Sequence, residues 1–291
     1  MIKILLSVSI LLTSSVFAGQ KVDDSKKVKS KGVVEIANVS GKILLEGWKK
    51  NQVSVKGELG DQAEGFKFET KGNVTRFEVE MPDSNYTTKS GDDLVIRVPY
   101  GHKVDMQGVS TDFIIKNLKA GIEVESVSGD LTASGIEAGA SLETVSGDVT
   151  IEKASGKLKL ETVSGNIEGK VSSEVVKAEV VSGNIDLTLG SFRELTAESV
   201  SGNVHVKGEQ LDNGSSKFSN VSGSINVTFT NKVNARLKAS TGPGGNIVNN
   251  ISDDEVQKDF PSQQRIKMTL GDGSGRIKLE TVVGNIKING K

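Results

Sequence analysis

Val127-Ser128-Gly129-Asp130-Leu131 is followed by Val145-Ser146-Gly147-Asp148-Val149 and by Val163-Ser164-Gly165-Asn166-Ile167. The same phrase returns as Val181-Ser182-Gly183-Asn184-Ile185, Val200-Ser201-Gly202-Asn203-Val204 and Val221-Ser222-Gly223-Ser224-Ile225. The glycines step by 147−129 = 18, 165−147 = 18, 183−165 = 18, 202−183 = 19 and 223−202 = 21. A fixed period of that length means stacked copies of one supersecondary unit, each burying a face it cannot bury alone.

Counting outward from each glycine separates wet from dry positions, because strand side chains alternate faces. Two places after it stand Leu131, Val149, Ile167, Ile185, Val204 and Ile225. Five before it stand Val124, Leu142, Leu160, Ala178, Ala197 and Phe218, with Leu237 before Gly242. Seven before it stand Ile122, Ala140, Leu158, Val176, Leu195, Ser216 and Ala235. These are inward columns separated by polar residues. Each copy therefore reads as two short strands around a Ser-Gly corner, with a second corner midway at Gly135 or at Ala154-Ser155-Gly156. Glycine accepts the positive φ of a tight corner, and Asp or Asn favours the turn through side-chain hydrogen bonds to backbone. Ser and Asn of successive copies are placed to hydrogen-bond up that corner. The expected fold is all-β: an elongated β-solenoid of coils of about 18–21 residues with two short strands per coil.

Composition narrows the function. The chain has 291 residues, a formal net charge of −1 and no cysteine. Disulfides, thiolate metal sites and cysteine nucleophiles are excluded, and no general affinity for nucleic acid follows from such a charge balance. His102 and His205 are its two histidines, too few for a histidine metal centre. Met1–Ala18 carries Lys3, an apolar run from Ile4 to Leu12 and Val16-Phe17-Ala18, the pattern of a secretory signal peptide. No later run is long or apolar enough to span a bilayer as a helix. The expected location is therefore outside the cytoplasm, periplasmic or at the cell surface.

Residues 19–31, with Lys26-Lys27-Val28-Lys29-Ser30-Lys31, read as a flexible lead-in. A single domain over 32–291 follows. Within it, 32–107 is irregular and rich in aromatics and reads as a cap on the open end of the stack, with Trp48 anchoring its first core layer. The regular repeats occupy 108–239, and Thr111 stands where glycine is usual, since 129−111 = 18. The last part, 240–291, is looped: Ser240-Thr241-Gly242-Pro243-Gly244-Gly245 replaces a corner, 246–264 is an insertion, and Ile277 to Ile288 recovers the template.

Three stretches together carry a family resemblance: Val39-Ser40-Gly41-Lys42-Ile43 with Glu46-Gly47-Trp48, then Leu94-Val95-Ile96-Arg97-Val98-Pro99-Tyr100-Gly101, then the repeated corners. On these, the chain from about Gly32 to Lys291 resembles the bacterial "putative adhesin" domain family, exported β-solenoid-like domains of unknown function. The resemblance implies a fold and an envelope location, and it brings no catalytic residues.

One wet column stands out. Four places before the glycines are Glu125, Glu143, Glu161, Glu179 and Glu198. In register, such carboxylates lie about 4.8 Å apart and repel by roughly 0.9 kcal/mol per neighbouring pair even in water. Two residues earlier the column reads Glu123, Ser141, Lys159, Lys177 and Thr196, so lysines offset the middle of the file. The file is the candidate binding stripe, for a basic partner or for a divalent cation such as Ca²⁺. No other cofactor is expected.

Two classes of function fit a stacked fold. One is a non-catalytic binding or scaffold protein of the cell envelope, adhesin-like, recognising an envelope protein or glycan. The other is a polysaccharide-active β-helical enzyme. Catalysis needs convergent groups of unlike pKa, and charged residues that repeat identically copy after copy favour the first.

Overall fold

The computed structural model describes residues 19–82, 90–259 and 262–290; the signal-peptide segment Met1–Ala18 lies outside them. The described chain is all-β and its strands form one 23-stranded sheet. The first part comprises β1 (Lys21–Lys27), β2 (Gly32–Trp48), β3 (Gln52–Glu58), β4 (Gly65–Lys71), β5 (Val74–Glu80), β6 (Asp92–Pro99) and β7 (His102–Leu118). The middle comprises β8 (Ile122–Ser128), β9 (Leu131–Ile136), β10 (Ala140–Ser146), β11 (Val149–Glu152), β12 (Lys157–Ser164), β13 (Ile167–Val171), β14 (Val175–Ser182), β15 (Ile185–Ser201) and β16 (Val204–Ser222). The last part comprises β17 (Ile225–Phe229), β18 (Ala235–Thr241), β19 (Ile247–Asn250), β20 (Gln257–Asp259), β21 (Gln263–Leu270), β22 (Gly275–Val283) and β23 (Ile286–Asn289).

In the middle, each strand pairs in parallel with the equivalent strand one repeat later. Leu142 has Val124 and Leu160 as its lateral Cα partners, and Val149 has Leu131 and Ile167. The inward columns are therefore continuous and dry: Val124, Leu142, Leu160, Ala178, Ala197 and Phe218 are fully buried. Ser216, the polar member of its column, is buried too, and its hydroxyl donates to Gln210 Oε1 at 2.6 Å. Two short strands per tier describe β8 to β14. Elsewhere single strands of 17 or 19 residues, such as β2, β7, β15 and β16, run through corners without a break.

The corner glycines are fixed by close approach as well as by φ. At Gly147, with φ +153°, a Cβ would lie 2.1 Å from the carbonyl oxygen of Gly129 in the tier below. No side chain fits there. Backbone amides bridge the tiers at the same place, as in Gly147 N–H to Ser164 O at 3.0 Å. The amide ladder foreseen at the corner runs through the Asp and Asn residues: Asn184 Nδ2 donates to Asn166 Oδ1 at 3.1 Å, and Asn203 Nδ2 donates to Asn184 Oδ1 at 3.3 Å. The serines contribute their carbonyls.

At both ends, tier order departs from chain order. β2 pairs in parallel with β7 on one side and with β5 and β6 on the other. The first full tier in the sequence is thus an inner tier, and antiparallel strands close the stack outside it: β4 on β5, β3 on β6 and β1 on β3. The other end repeats the device. β22 lies between β16 and β18, and β23 lies between β17 and β19. Antiparallel β21 then covers β18. An antiparallel closing strand ends the parallel series that would otherwise offer another tier a template.

Four expectations change here. The lead-in contains a strand, β1, because Val22 alone of its residues turns inward (3% exposed) while Asp23 pairs with Lys56 at 3.0 Å. One apolar residue among charges gives too weak an alternation to read. Within 246–264, β19 and β20 replace a plain insertion, and Ile247 sits beside Ile286 in the core. The corner glycine of that tier is Gly245, not Gly242: Ile247 pairs with Ile286, two places past the corner Gly284, and a Cβ on Gly245 would meet Gly284 O at 2.4 Å. Leu237 consequently pairs with Ile277, and Ala239 joins the column of Phe218 and Leu279. Trp48 is outside the buried core and closes a turn instead, its indole N–H donating to Gln52 O at 2.7 Å with Lys50 over the ring at 5.0 Å.

Candidate interaction face

Strand alternation places residues eight, six, four and two before each corner glycine on one outward face. The glutamates at −4 form an unbroken file: Glu143 has Glu125 and Glu161 as Cα partners, and Glu179 has Glu161 and Glu198. All five residues singled out by spacing are thereby brought together.

The lysines at −6 stitch this file. Lys159 Nζ bonds to Glu143, with Glu161 at 3.2 Å, and Lys177 Nζ reaches Glu161 at 2.8 Å and Glu179 at 2.9 Å. Lys217 serves Glu198 at 2.6 Å, and the Ser141 hydroxyl donates to Glu143 at 2.9 Å. Hydrogen bonds to Glu161 and Glu179 hold the Lys177 pKa well above the ordinary lysine value. Partial burial acts to raise the pKa of Glu161, but the hydrogen bonds from Lys177 and Lys159 outweigh it, and its carboxyl sits below the usual range. The repulsion expected of a bare carboxylate file is thus cancelled over its middle. At Glu125 no lysine or arginine lies within 4 Å among the described residues. Among the described residues, no group of three or more His, Cys, Asp or Glu is arranged to hold a metal ion.

Beside the glutamates runs a second file. Val109, Val127, Val145, Val163, Val181, Val200 and Val221, the valines of the corner phrase, are 45–54% exposed. A β-branched apolar residue repeated at one exposed position is unlike scattered surface hydrophobics, which carry no message. Between the files lies a groove of about 560 Å³ floored by Ser126, Thr144, Thr162, Val180 and Ser199. The floor is buried at Thr144 and Thr162, whose hydroxyls donate to the carbonyls of Gly129 and Gly147 at 3.4 and 3.1 Å, so the groove's polar base is satisfied from within. The parity that turns glutamate outward also turns valine outward. That signal stood in the sequence at −2 and was the part of the face that counting charged residues passed over.

Two buried titratable groups lie away from this face. Burial lowers the pKa of His102, which is 1% exposed. Burial raises that of Asp92, which accepts the Gly60 amide at 2.7 Å.

A family model described as Toastrack DUF4097 matches residues 21–189 and again 156–289. The chain belongs to this Toastrack family. Interchangeable tiers explain why one model lies on the chain twice, its two placements overlapping in the regular middle. The resemblance to adhesin-like domains read from the corners agrees with this match. No curated protein matches the chain. Among solved structures it is similar to a putative cell adhesion protein from Clostridium sporogenes ATCC 15579, at 13% identity and a TM-score of 0.27, over 94% of this chain and 100% of that one. No helix of the described residues is long and apolar enough to cross a membrane.

Proposed function

We propose that this Toastrack chain is a non-catalytic binding or scaffold protein of the cell envelope, built as a β-solenoid whose outward face is the recognition surface. The observation that carries this is the valine file beside the neutralised glutamate file, extended over consecutive tiers in fixed register. A rigid row of apolar side chains flanked by paired charges suits a protein partner: the valines supply area to bury, and the Glu-Lys network supplies a polar rim. Lysine ammonium groups sit between the middle carboxylates, from Glu143 to Glu179, where Ca²⁺ would have to lie, which favours a protein partner over a cation there. Calorimetric titration with Ca²⁺ is accordingly expected to give no heat and no melting shift. The repetition of glutamate at −4 and valine at −2 through the middle tiers supports binding over catalysis, which draws on dissimilar groups converging at one point. Export to the periplasm or surface accords with the N-terminal signal pattern.

The test is photo-cross-linking in intact cells. A photoreactive residue at Val163, on the face, is expected to capture a defined partner identified by mass spectrometry, whereas one at Thr150, on the other arm of the tier, is not. Equal capture at both positions would remove the face from the account.

A further inference from the structure

The partner itself is named by a charge gradient along the same face. At −6, the tiers nearest the N-terminal cap carry Glu35, Asp105 and Glu123 as successive Cα partners. Towards the C-terminal cap the same column carries Lys217, Lys278 and Lys238, again as successive partners. Like charges directly opposite one another on paired strands destabilise a sheet, and the chain relieves this only in part. Glu35 has Arg76 at 3.4 Å, Lys217 has Glu198 and Lys278 has Glu280 at 2.7 Å. Among the described residues, Asp105, Glu123 and Lys238 have no opposite charge within 4 Å. The face is therefore acidic at one end, basic at the other, and apolar along one side.

We propose that this face binds a second copy of the chain, related by a two-fold axis parallel to the strands and passing between the tiers of Val163 and Val181. This rests on the face being the recognition surface and specifies its occupant. Such an axis reverses the order of tiers and keeps each column opposite itself. Valine then lies against valine along the whole file. Counting tiers outward from the axis, Glu123 of one copy faces Lys217 of the other in the third tier, Asp105 faces Lys278 in the fourth, and Glu35 faces Lys238 in the fifth. At the centre the same axis sets Lys159 opposite Lys177 and Glu161 opposite Glu179, charges already paired within each copy, whereas a two-fold axis along the stack would set the unpaired acidic end against the acidic end and the basic end against the basic end. Self-complementarity of this kind is what an isologous interface requires, and face-to-face sheets pack within about 30° of alignment.

The experiment is sedimentation equilibrium on the purified chain from Gly19 onward. The expected mass is twice that of the chain, falling towards the single mass as salt shortens the screening length from about 8 Å to about 3 Å. Val163→Asp with Val181→Asp is expected to give monomer, and Val163→Thr with Val181→Thr, which keeps the branched shape, serves if the aspartates unfold the chain. A triple variant Glu35→Lys, Asp105→Lys, Glu123→Lys and a second, Lys217→Glu, Lys278→Glu, Lys238→Glu, should each be monomeric alone. Mixed, they should restore the doubled mass, because every basic end then meets an acidic one. A wild-type chain that stays monomeric, a dimer indifferent to salt, or triple variants that stay dimeric alone or fail to pair while folded by circular dichroism would overturn the proposal. If the wild-type chain is monomeric while Val163 captures a different protein in cells, recognition by the face stands and self-association falls.

Discussion

The regular middle and the two ends solve the same problem by opposite means. Between Gly129 and Gly223, chain order and tier order coincide, side chains repeat by column, and every corner holds a glycine against the carbonyl of its neighbour. At the ends the chain doubles back, so that β2 and β22 become inner tiers and antiparallel strands close the stack. Repetition provides a long uniform face, and breaking it prevents the stack from continuing into another molecule end to end. Tolerance to substitution should differ accordingly.

Glycine separates the regions most sharply. Gly165→Ala would place a Cβ 2.0 Å from Gly147 O, so both tiers must move. We expect a loss above about 4 kcal/mol, or no folding, in urea denaturation. Gly72, in the β4–β5 turn, also has positive φ, but a Cβ there would meet nothing within 4 Å among the described residues. Its alanine variant should lose only about 1–2 kcal/mol, the cost of a left-handed residue. Leu160→Ala, fully buried between Leu142 and Ala178, should lose about 2–5 kcal/mol. Leu270→Ala, half-buried on the closing strand β21, should lose less in the same assay.

Acid should act first at the N-terminal end. His102 is buried with no partner for Nδ1 among the described residues, and burial depresses its pKa below the ordinary value of about 6.5. The unfolded chain therefore takes up the proton at higher pH than the folded one. The stability His102 contributes is complete above about pH 6.5 and is lost as pH falls through the folded pKa. Asp92, with its pKa raised by burial, works the other way: its contribution is present at low pH and is lost as pH rises through its folded pKa. His102→Gln should flatten the acid-side decline in a series of melts between pH 7 and 5.

The smallest effects belong to the middle's surface. Asn184→Ala cuts the corner ladder on both sides, at its bond to Asn166 and at its bond from Asn203, and should lose about 1–2 kcal/mol. Lys177→Ala removes a bridge between two half-exposed carboxylates and should lose less than about 1 kcal/mol, with the difference shrinking in high salt.

Much of the middle was legible because alternation and period act on the same residues: once Gly129 and Gly147 are aligned, Leu142 must be dry and Glu143 wet. The ends were hidden for a definite reason. A period assigns a residue to a column but not to a tier, so Ile277 and Leu279 announce their columns without revealing that they wedge between β16 and β18. The corner at 240–245 offered several glycines, and only the register of Ile247 on Ile286 selects Gly245. In the face itself, charge drew attention to glutamate, while the valines looked like part of the turn because the phrase repeats them unchanged.

The absence of cysteine makes one direct test clean. Cysteines at positions 217 and 278 lie on paired strands, and those at 217 and 238 have β22 between them. Neighbouring strands are about 4.8 Å apart, within reach of a disulfide, and strands two apart are beyond the limit of about 7 Å. Under mild oxidation, Lys217→Cys with Lys278→Cys should cross-link nearly completely within one chain, and Lys217→Cys with Lys238→Cys should not. Cross-linking of the second pair and not the first would mean that the tiers follow chain order to the end, contradicting the wedged tier and the charge gradient drawn across it.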